Sequence, residues 1–338
     1  MNQRLEWLDA LKGFGMIWVI IGHTIPLSKE ATLFVVSYMP LFFIATGYTI
    51  KEEPFATSLI KKAKRILLPY LKYGIVLGVT HLLLFSSREV ILGAEDKEFP
   101  LYGLLYSRYC MYHYGSIPNN YFLPIETTSS LWFLTSLFTG IVFYLVLKLF
   151  PKKLQPFAII AYILMTCATV NLPILLPWSI DMAPLVASFI WIGNEIKKNK
   201  LISISSKPTN ICISIIAMTI YTSLYLFNGE ENLSVGIYGN FGFYSVPLAF
   251  ISGFAYFIAV ATFFKVIPQR FNLPVAFVGK HTLTMMCIQM IIISVMKYYI
   301  LVNLNPMIIT FTAIMTTIAI AVFIDNIQFK RNSYIINK

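Results

Sequence analysis

Charged residues are scarce in this chain: Lys, Arg, Asp and Glu make up 12% of its 338 residues, whereas hydrophobic residues make up 57%. A soluble globular domain carries about 25% charged residues, so the composition excludes a protein whose whole surface faces water. The mean hydropathy of +0.72 and the aromatic content of 15% favour a polytopic membrane protein, in which Tyr and Trp form interfacial belts.

Cysteine is also sparse, and its spacing excludes further classes. The four cysteines form no paired motif and three lie in apolar runs, so we expect neither a disulfide framework nor a metal site; they are Cys110, Cys167, Cys212 and Cys287. The chain lacks a P-loop, a Gly-rich dinucleotide turn and tandem repeats. No small-residue cleavage site follows the first apolar run, so we expect that run to remain as a span.

Ten apolar runs, separated by charged residues, Pro or Asn, are the candidate membrane-spanning segments. They cover residues 8–27, 31–50, 66–86, 129–149, 156–174, 179–196, 209–227, 243–264, 281–301 and 306–325. The predicted fold is therefore all-α, a polytopic membrane bundle of about ten transmembrane helices. We expect a single membrane domain over residues 1–338 and no appended soluble domain, because few residues follow the last run.

Basic residues lie mainly on one side of these runs. If Met1 is cytoplasmic, 20 of the 26 lysines and arginines fall on the cytoplasmic side, which is the asymmetry that the positive-inside rule describes. We therefore expect both termini in the cytoplasm. This topology and attraction to anionic lipid explain the net charge of +11, so we expect a lipid bilayer as partner and no nucleic acid.

The first run places a lysine and a histidine on one helix face. Lys12 and His23 are eleven residues apart, and eleven steps of about 100° complete three turns with about 20° left over. At about 1.5 Å per residue they lie about 16 Å apart along the axis, so His23 falls near the middle of the bilayer. An ionisable group at that depth indicates a function. Asp9, three residues before Lys12, is placed to pair with it.

Two stretches outside the runs have a distinctive composition. Residues 51–65 end in Lys-Lys-Ala-Lys-Arg, which is either an anchor that reaches lipid phosphates or a docking site for an anionic cofactor. Residues 87–128, predicted to lie outside the cell membrane, contain six tyrosines and several carboxylates. Tyrosines together with carboxylates are suited to binding a carbohydrate. The alternative is that these tyrosines lie at the membrane interface and bind no ligand.

Six short elements follow one another along the chain. They are Leu8-Asp9, Lys12-Gly13 and Gly22-His23 after Arg4; Phe42-Phe43 with Thr46-Gly47-Tyr48; Arg65 with Pro69-Tyr70; Leu131-Trp132-Phe133-Leu134 with Leu137-Phe138; Pro177 and Asp181 with Phe189 and Gly193; and Gly279 with His281-Thr282-Leu283. Their order and spacing resemble the membrane-bound acyltransferase 3 family, and within it the fucose 4-O-acetylase branch of sugar O-acetyltransferases.

Three positions depart from the pattern of the family. Lys12 stands where relatives often have arginine, so the cation is kept without the bidentate fork. Thr46 replaces a commoner serine and keeps the hydroxyl. Gln289 stands where many relatives have a second histidine, so any role of that histidine is absent here or falls to an amide that does not titrate.

The resemblance implies an enzyme that transfers an acyl group, commonly acetyl from acetyl-CoA, to a sugar hydroxyl outside the cytoplasm. We expect a surface glycan or its lipid-linked precursor as acceptor, such as O-antigen, capsule or exopolysaccharide, and the bacterial inner (cytoplasmic) membrane as location. An alcohol is a poor nucleophile at neutral pH, so His23 acts as its general base or carries the acyl group itself. The sequence leaves both roles open, and it is compatible with a homo-oligomer.

The candidate site residues come from the matching elements and from charge. We expect His23, Lys12 and Asp9 in catalysis; Lys12, Arg65, Lys61, Lys62 and Lys64 at the phosphates of CoA; Thr46, Gly47 and Tyr48 along the acyl path; and Trp132, Asp181 and Glu126 at the acceptor. The structural alternatives are an inter-helix hydrogen bond for His23, close packing for Gly47, an interface anchor for Trp132 and an N-cap for Asp181. For His281 we expect a structural role.

Two competing hypotheses remain. A transporter or flippase of lipid-linked sugars has a similar number of spans, but polar groups in several helices and internal repeats are typical of such proteins, and here titratable groups concentrate on the first run. The other hypothesis is an enzyme of the same class with a different acceptor or a succinyl donor.

Overall fold

The computed structural model describes residues 5–25, 32, 38–85, 101–108, 129–202, 206–297 and 304–336. They form α1 (Glu6–Thr24), α2 (Tyr38–Thr49), α3 (Phe55–Phe85), α4 (Leu101–Tyr106), α5 (Trp132–Leu147), α6 (Gln155–Thr169), α7 (Ala183–Lys198), α8 (Lys207–Asn228), α9 (Ser245–Val266), α10 (Gln269–Lys280), α11 (Thr282–Val295) and α12 (Pro306–Ile336). Short 3-10 turns join some of them, and no β-strand occurs in these residues. The predicted all-α class is confirmed.

A helix overlaps each of the ten apolar runs, and two helices lie outside them. α4 is only six residues long, and α10 carries Arg270 and Lys280, so neither forms an apolar run. α3 begins well before its run, at Phe55. The basic stretch continues this helix because Lys and Arg are good helix formers.

Length and hydropathy identify the helices that can cross a bilayer, which takes about 20 apolar residues. Among the described residues, three segments qualify by themselves: Lys207–Asn228, Gly242–Val266 and Pro306–Gln328. α10 and α11 qualify together as a fourth, although the pair is bent by 73° at its junction. Apolar helices α5 and α6 are shorter. The chain is therefore a membrane protein with three or four such spans in the described part.

The chain divides into two compact units. Unit one comprises Met1–Phe42, Ile202–Ile220 and Ala255–Lys338, and unit two comprises Phe43–Leu201 and Tyr221–Phe254. Neither unit is a continuous stretch of sequence, since α2, α8 and α9 each run from one unit into the other.

In unit one, two glycines let α1 and α10 approach until their backbones touch. A Cβ on Gly13 would lie 2.0 Å from the carbonyl oxygen of Val275, and a Cβ on Gly279 would lie 1.7 Å from the carbonyl oxygen of Asp9. Small residues permit such contacts between membrane helices. Gly13, from the first short element, and Gly279, from the last, thus make reciprocal contacts between the two helices.

In unit two, α2 and α7 make a similar reciprocal contact. A Cβ on Gly47 would lie 1.9 Å from the carbonyl oxygen of Ile190, and a Cβ on Gly193 would lie 2.1 Å from that of Ile44. The ring of Phe43 fills the adjacent core, with its centroid 5.0 Å from that of Phe133. Gly47 thus has the packing role that was one of its two expected roles.

Candidate active site

α1 carries the first three candidate residues without interruption. Asp9, Lys12 and His23 all lie between its ends at Glu6 and Thr24. The carboxylate of Asp9 forms an ion pair of 2.6 Å with the ammonium of Lys12, as the spacing of three residues predicts. The Asp9 side chain is 5% exposed and that of Lys12 23%. This pair is therefore largely shielded from water at the start of α1.

The opposite end of α1 is held by two other helices of unit one. The carbonyl of His23 accepts a hydrogen bond of 2.8 Å from Nζ of Lys297, which lies in a π-turn directly after α11. The hydroxyl of Thr310, on the first turn of α12, donates to Oγ1 of Thr24 at 2.8 Å. His23 itself is half-buried. The residues after α11 and the start of α12 thus contact the end of α1 at His23 and Thr24.

Lys297 is a candidate site residue that no sequence pattern indicated. The topology predicted from the distribution of basic residues places it outside the cytoplasm. Its single signal in the sequence is a lone cation at the end of an apolar run, which fits an interfacial anchor equally well. Its contact with His23 joins residues 274 positions apart, so local periodicity contains no trace of it.

Gln289 is fully buried on α11. Its amide nitrogen lies 3.7 Å from the sulfur of Met286, and its Oε1 accepts no hydrogen bond from the described residues. Burying an amide oxygen without a partner costs roughly 1–3 kcal/mol. The position at which many relatives have a histidine thus holds a polar group inside unit one.

His281 lies at the bend between α10 and α11 and contacts α12. Its Nδ1 is 2.5 Å from Oδ2 of Asp325, and the hydroxyl of Thr284 donates to Oδ1 of the same carboxylate at 2.5 Å. The ring of Phe277 packs edge-on against the imidazole. This arrangement joins α11 to α12, as expected of a structural histidine.

The basic stretch expected to bind CoA belongs to unit two, on the first turns of α3. Lys61 donates to a carboxylate oxygen of Glu53 at 2.8 Å. Among the described residues, Lys62, Lys64 and Arg65 have no ion-pair partner within 4 Å. Burial and the neighbouring charge of Arg65 lower the pKa of Lys62. Two positively charged side chains that lie next to each other can both bind an anion placed between them.

A second charged cluster of unit two was not expected from the sequence. Glu52, before α3, accepts a hydrogen bond from Lys198 at 2.9 Å and lies 3.7 Å from Lys148. The hydrogen bond and charge of Lys198, followed by the charge of Lys148, lower the pKa of Glu52. The ends of α5 and α7 are thereby linked to the segment between α2 and α3.

The acceptor candidates also lie in unit two. Trp132, at the start of α5, is 4% exposed and packs edge-on against Phe133. The acyl-path candidates Thr46 and Tyr48, in the same unit, flank Gly47 on α2 and are half-buried. Glu126 lies outside the described residues.

Asp181 is buried just before α7, in an ion pair with Arg108. Nη2 of Arg108 is 2.6 Å from Oδ2 of Asp181, and the two side chains are 0% and 4% exposed. Nη1 of the same guanidinium donates to the hydroxyl of Ser179 at 2.8 Å. Ser107, Trp178 and Ser179 around this pair have left-handed backbone conformations, which are uncommon outside glycine and concentrate at functional or strained sites.

Removing one partner of this pair is expected to destabilise the protein by about 3–5 kcal/mol, because the remaining charge stays buried without its ion-pair partner. The test variants are Arg108→Met and Asp181→Asn. Samples are heated to a series of temperatures, and size-exclusion chromatography measures how much folded protein remains at each. The double variant Arg108→Met/Asp181→Leu is expected to lose less than the sum of the two single variants. Single variants as stable as the original protein would contradict a buried ion pair.

Unit two contains a further buried carboxyl that no sequence pattern indicated. Glu231 follows α8, and the amide of Asn228 donates to it at 3.4 Å. Burial raises the pKa of Glu231 to about 7, while the hydrogen bond of Asn228 acts in the opposite direction. The carboxyl therefore binds a proton more readily than an exposed glutamate does.

Comparison with protein families gives one match. Residues 5–325 match a family model described as an acyltransferase domain. The match includes every candidate residue described above. The comparisons with curated proteins and with solved structures found no match.

Proposed function

The chain belongs to the acyltransferase 3 family and is a membrane acyltransferase, and from this premise we propose that it moves an acetyl group from acetyl-CoA to a hydroxyl of a surface glycan or its lipid-linked precursor. The proposal extends to the fucose 4-O-acetylase branch of sugar O-acetyltransferases, on the short elements given above. The observation that carries it is the position of His23 at the end of an apolar helix, where its backbone carbonyl accepts a hydrogen bond from the ammonium of Lys297.

His23 is the proposed proton acceptor of the reaction. The acceptor hydroxyl attacks the carbonyl carbon of the thioester, and the imidazole takes the proton of that hydroxyl as the new bond forms. An acyl-histidine intermediate is the second form of the proposal, in which the imidazole attacks the thioester first. Both forms need the same side chain, so the same variants test them.

Cationic side chains are proposed to bind the phosphates of CoA. Lys62, Lys64 and Arg65 support this because they have no carboxylate partner among the described residues, whereas Lys61 is paired with Glu53. Lys12, in unit one, is proposed separately as a cation for these phosphates, and its ammonium is paired with Asp9. Thr46, Gly47 and Tyr48 are proposed to shape the acyl path.

The acceptor site is proposed to involve Trp132, Asp181 and Glu126. Since Trp132 and Asp181 are buried, their contribution is to hold the surrounding backbone in shape. Asp181 does so through Arg108, which fixes the residues after α4 against the start of α7.

The distribution of basic residues supports a placement in the bacterial inner membrane, with about ten spans and both termini in the cytoplasm. Acetyl-CoA then approaches from the cytoplasm and the glycan from the other side. In this topology the reaction joins two substrates from opposite sides of the membrane.

The proposed function predicts that deleting the gene removes O-acetyl groups from the surface glycan. We expect the acetyl methyl signal in the proton NMR spectrum of the purified glycan to disappear and to return on complementation. A glycan that keeps its acetyl groups would contradict the proposal, and a failure of glycan export would favour the flippase hypothesis. Loss of a succinyl signal instead would identify a different donor.

A further inference from the structure

The ammonium of Lys297 has more hydrogen-bond donors than it has acceptors among the described residues. An ammonium has three N–H donors, and among the described residues Nζ of Lys297 has one acceptor, the carbonyl of His23 at 2.8 Å. The side chain is half-buried at the end of α11. In the described part of the chain, two donors of this cation therefore have no acceptor, and they lie next to the backbone of the candidate base.

Capping of α1 explains only part of this arrangement. A cation at a helix C-terminus satisfies a carbonyl that has no partner within the helix and interacts favourably with the helix dipole. One neutral donor would do the same for a single carbonyl. Placing a lysine near apolar surroundings is costly without a counter-charge, so the site is suited to a negative charge that appears during the reaction.

We propose that Lys297 stabilises the oxyanion formed during acyl transfer at His23, a role that rests on the proposed function. The group that it binds is the carbonyl oxygen of the acyl thioester. Preorganised donors aimed at a developing oxyanion are typically the largest single contribution to such catalysis. Lys297 is accordingly assigned as a catalytic residue.

The proposed acyl transfer consists of the addition of the acceptor hydroxyl followed by the loss of the CoA thiolate. The acceptor oxygen bonds to the carbonyl carbon, the C=O π electrons move to the carbonyl oxygen, and the hydroxyl proton moves to the imidazole of His23. Lys297 donates hydrogen bonds to the resulting oxyanion. When the C=O bond re-forms, the C–S bond breaks, and the CoA thiolate takes up the proton from His23.

The test uses full-length purified protein in detergent, radiolabelled acetyl-CoA as donor and surface polysaccharide freed of ester groups by mild alkali as acceptor. Lys297→Gln keeps a donor for the carbonyl of His23 but removes the charge. We expect its kcat to fall by about 100-fold or more, with an unchanged KM for acetyl-CoA. Lys297→Arg keeps the charge and is expected to recover most of the activity.

Lys265→Met is the matched control in the same unit. The ammonium of Lys265 also donates to a backbone carbonyl, that of Ile202, and lies over the ring of Trp7. Its loss is expected to leave kcat unchanged. If Lys297→Gln lowers activity only in proportion to a loss of folded protein, Lys297 is a structural cap and the proposal is overturned.

His23→Ala separates the two proposals. An unchanged kcat in Lys297→Gln, together with an inactive His23→Ala, would overturn the role of Lys297 and leave the proposed function standing. A fully active His23→Ala would overturn the role of His23, and a lack of acetyl transfer by the unsubstituted protein would overturn the proposed function itself.

Discussion

Replacing His23 with alanine is expected to abolish acetyl transfer while the protein remains folded and inserted. As a general base, the imidazole accounts for a factor of about 10²–10⁴ in rate. As an acyl carrier, it leaves no route for the reaction when it is removed. The measurement is the O-acetyl content of the surface glycan, together with transfer from radiolabelled acetyl-CoA by the purified protein.

Two further variants separate catalysis from structure at this position. His23→Asn keeps a polar side chain that forms hydrogen bonds between helices, but it does not accept a proton at neutral pH. We expect it to be as inactive as His23→Ala. His81→Ala is the matched control, since it removes a histidine from another apolar run. Full acetylation in His23→Asn would show that the side chain serves only as a hydrogen-bonding group.

Replacing Gly13 with alanine is expected to destabilise unit one by about 3 kcal/mol or more, at or above the upper end of the usual cost of overpacking. The added methyl group would lie 2.0 Å from the carbonyl oxygen of Val275, and a backbone atom does not move aside as a flexible side chain does. α1 and α10 must separate instead. Thermal denaturation followed by size-exclusion chromatography measures the loss.

Gly15→Ala is the control on the same helix. Its methyl group would lie 3.2 Å from the ring of Phe42, a side chain that can shift slightly, so a small change in stability is expected. Gly279→Ala, whose methyl group would lie 1.7 Å from the carbonyl of Asp9, is expected to resemble Gly13→Ala. Equal stability of the Gly13 and Gly15 variants would contradict the backbone contact between α1 and α10.

The sequence was most informative where the relevant physics is local. Hydropathy and helical periodicity depend on neighbouring residues, and they predicted a helix for each apolar run. The ion pair between Asp9 and Lys12 was predictable for the same reason, since residues three apart share a helix face. α10 was not predicted because it contains no long apolar stretch. It packs against α1 through the contact of Gly279 with the backbone of Asp9, which hydropathy does not indicate.

The candidate site was only partly predictable. Asp9, Lys12 and His23 came from their spacing and from the resemblance, and the structure places all three on α1. Arg108 was not expected as the partner of Asp181, because 73 residues separate the two in sequence. No rule of spacing relates such residues, and their contact exists only when α7 has packed in unit two.

By itself, the sequence determined that this is a helical membrane protein with a histidine and a basic residue on its first helix, because composition and periodicity fix the helices and their preference for lipid. Only the tertiary structure decided what meets that histidine. Lys297 reaches His23 because glycine contacts hold α1 against α10, because α11 continues from α10, and because α12 closes on the end of α1. Such contacts depend on how side chains fit between helices, and that fit is a property of the whole packed unit and of no single stretch of sequence.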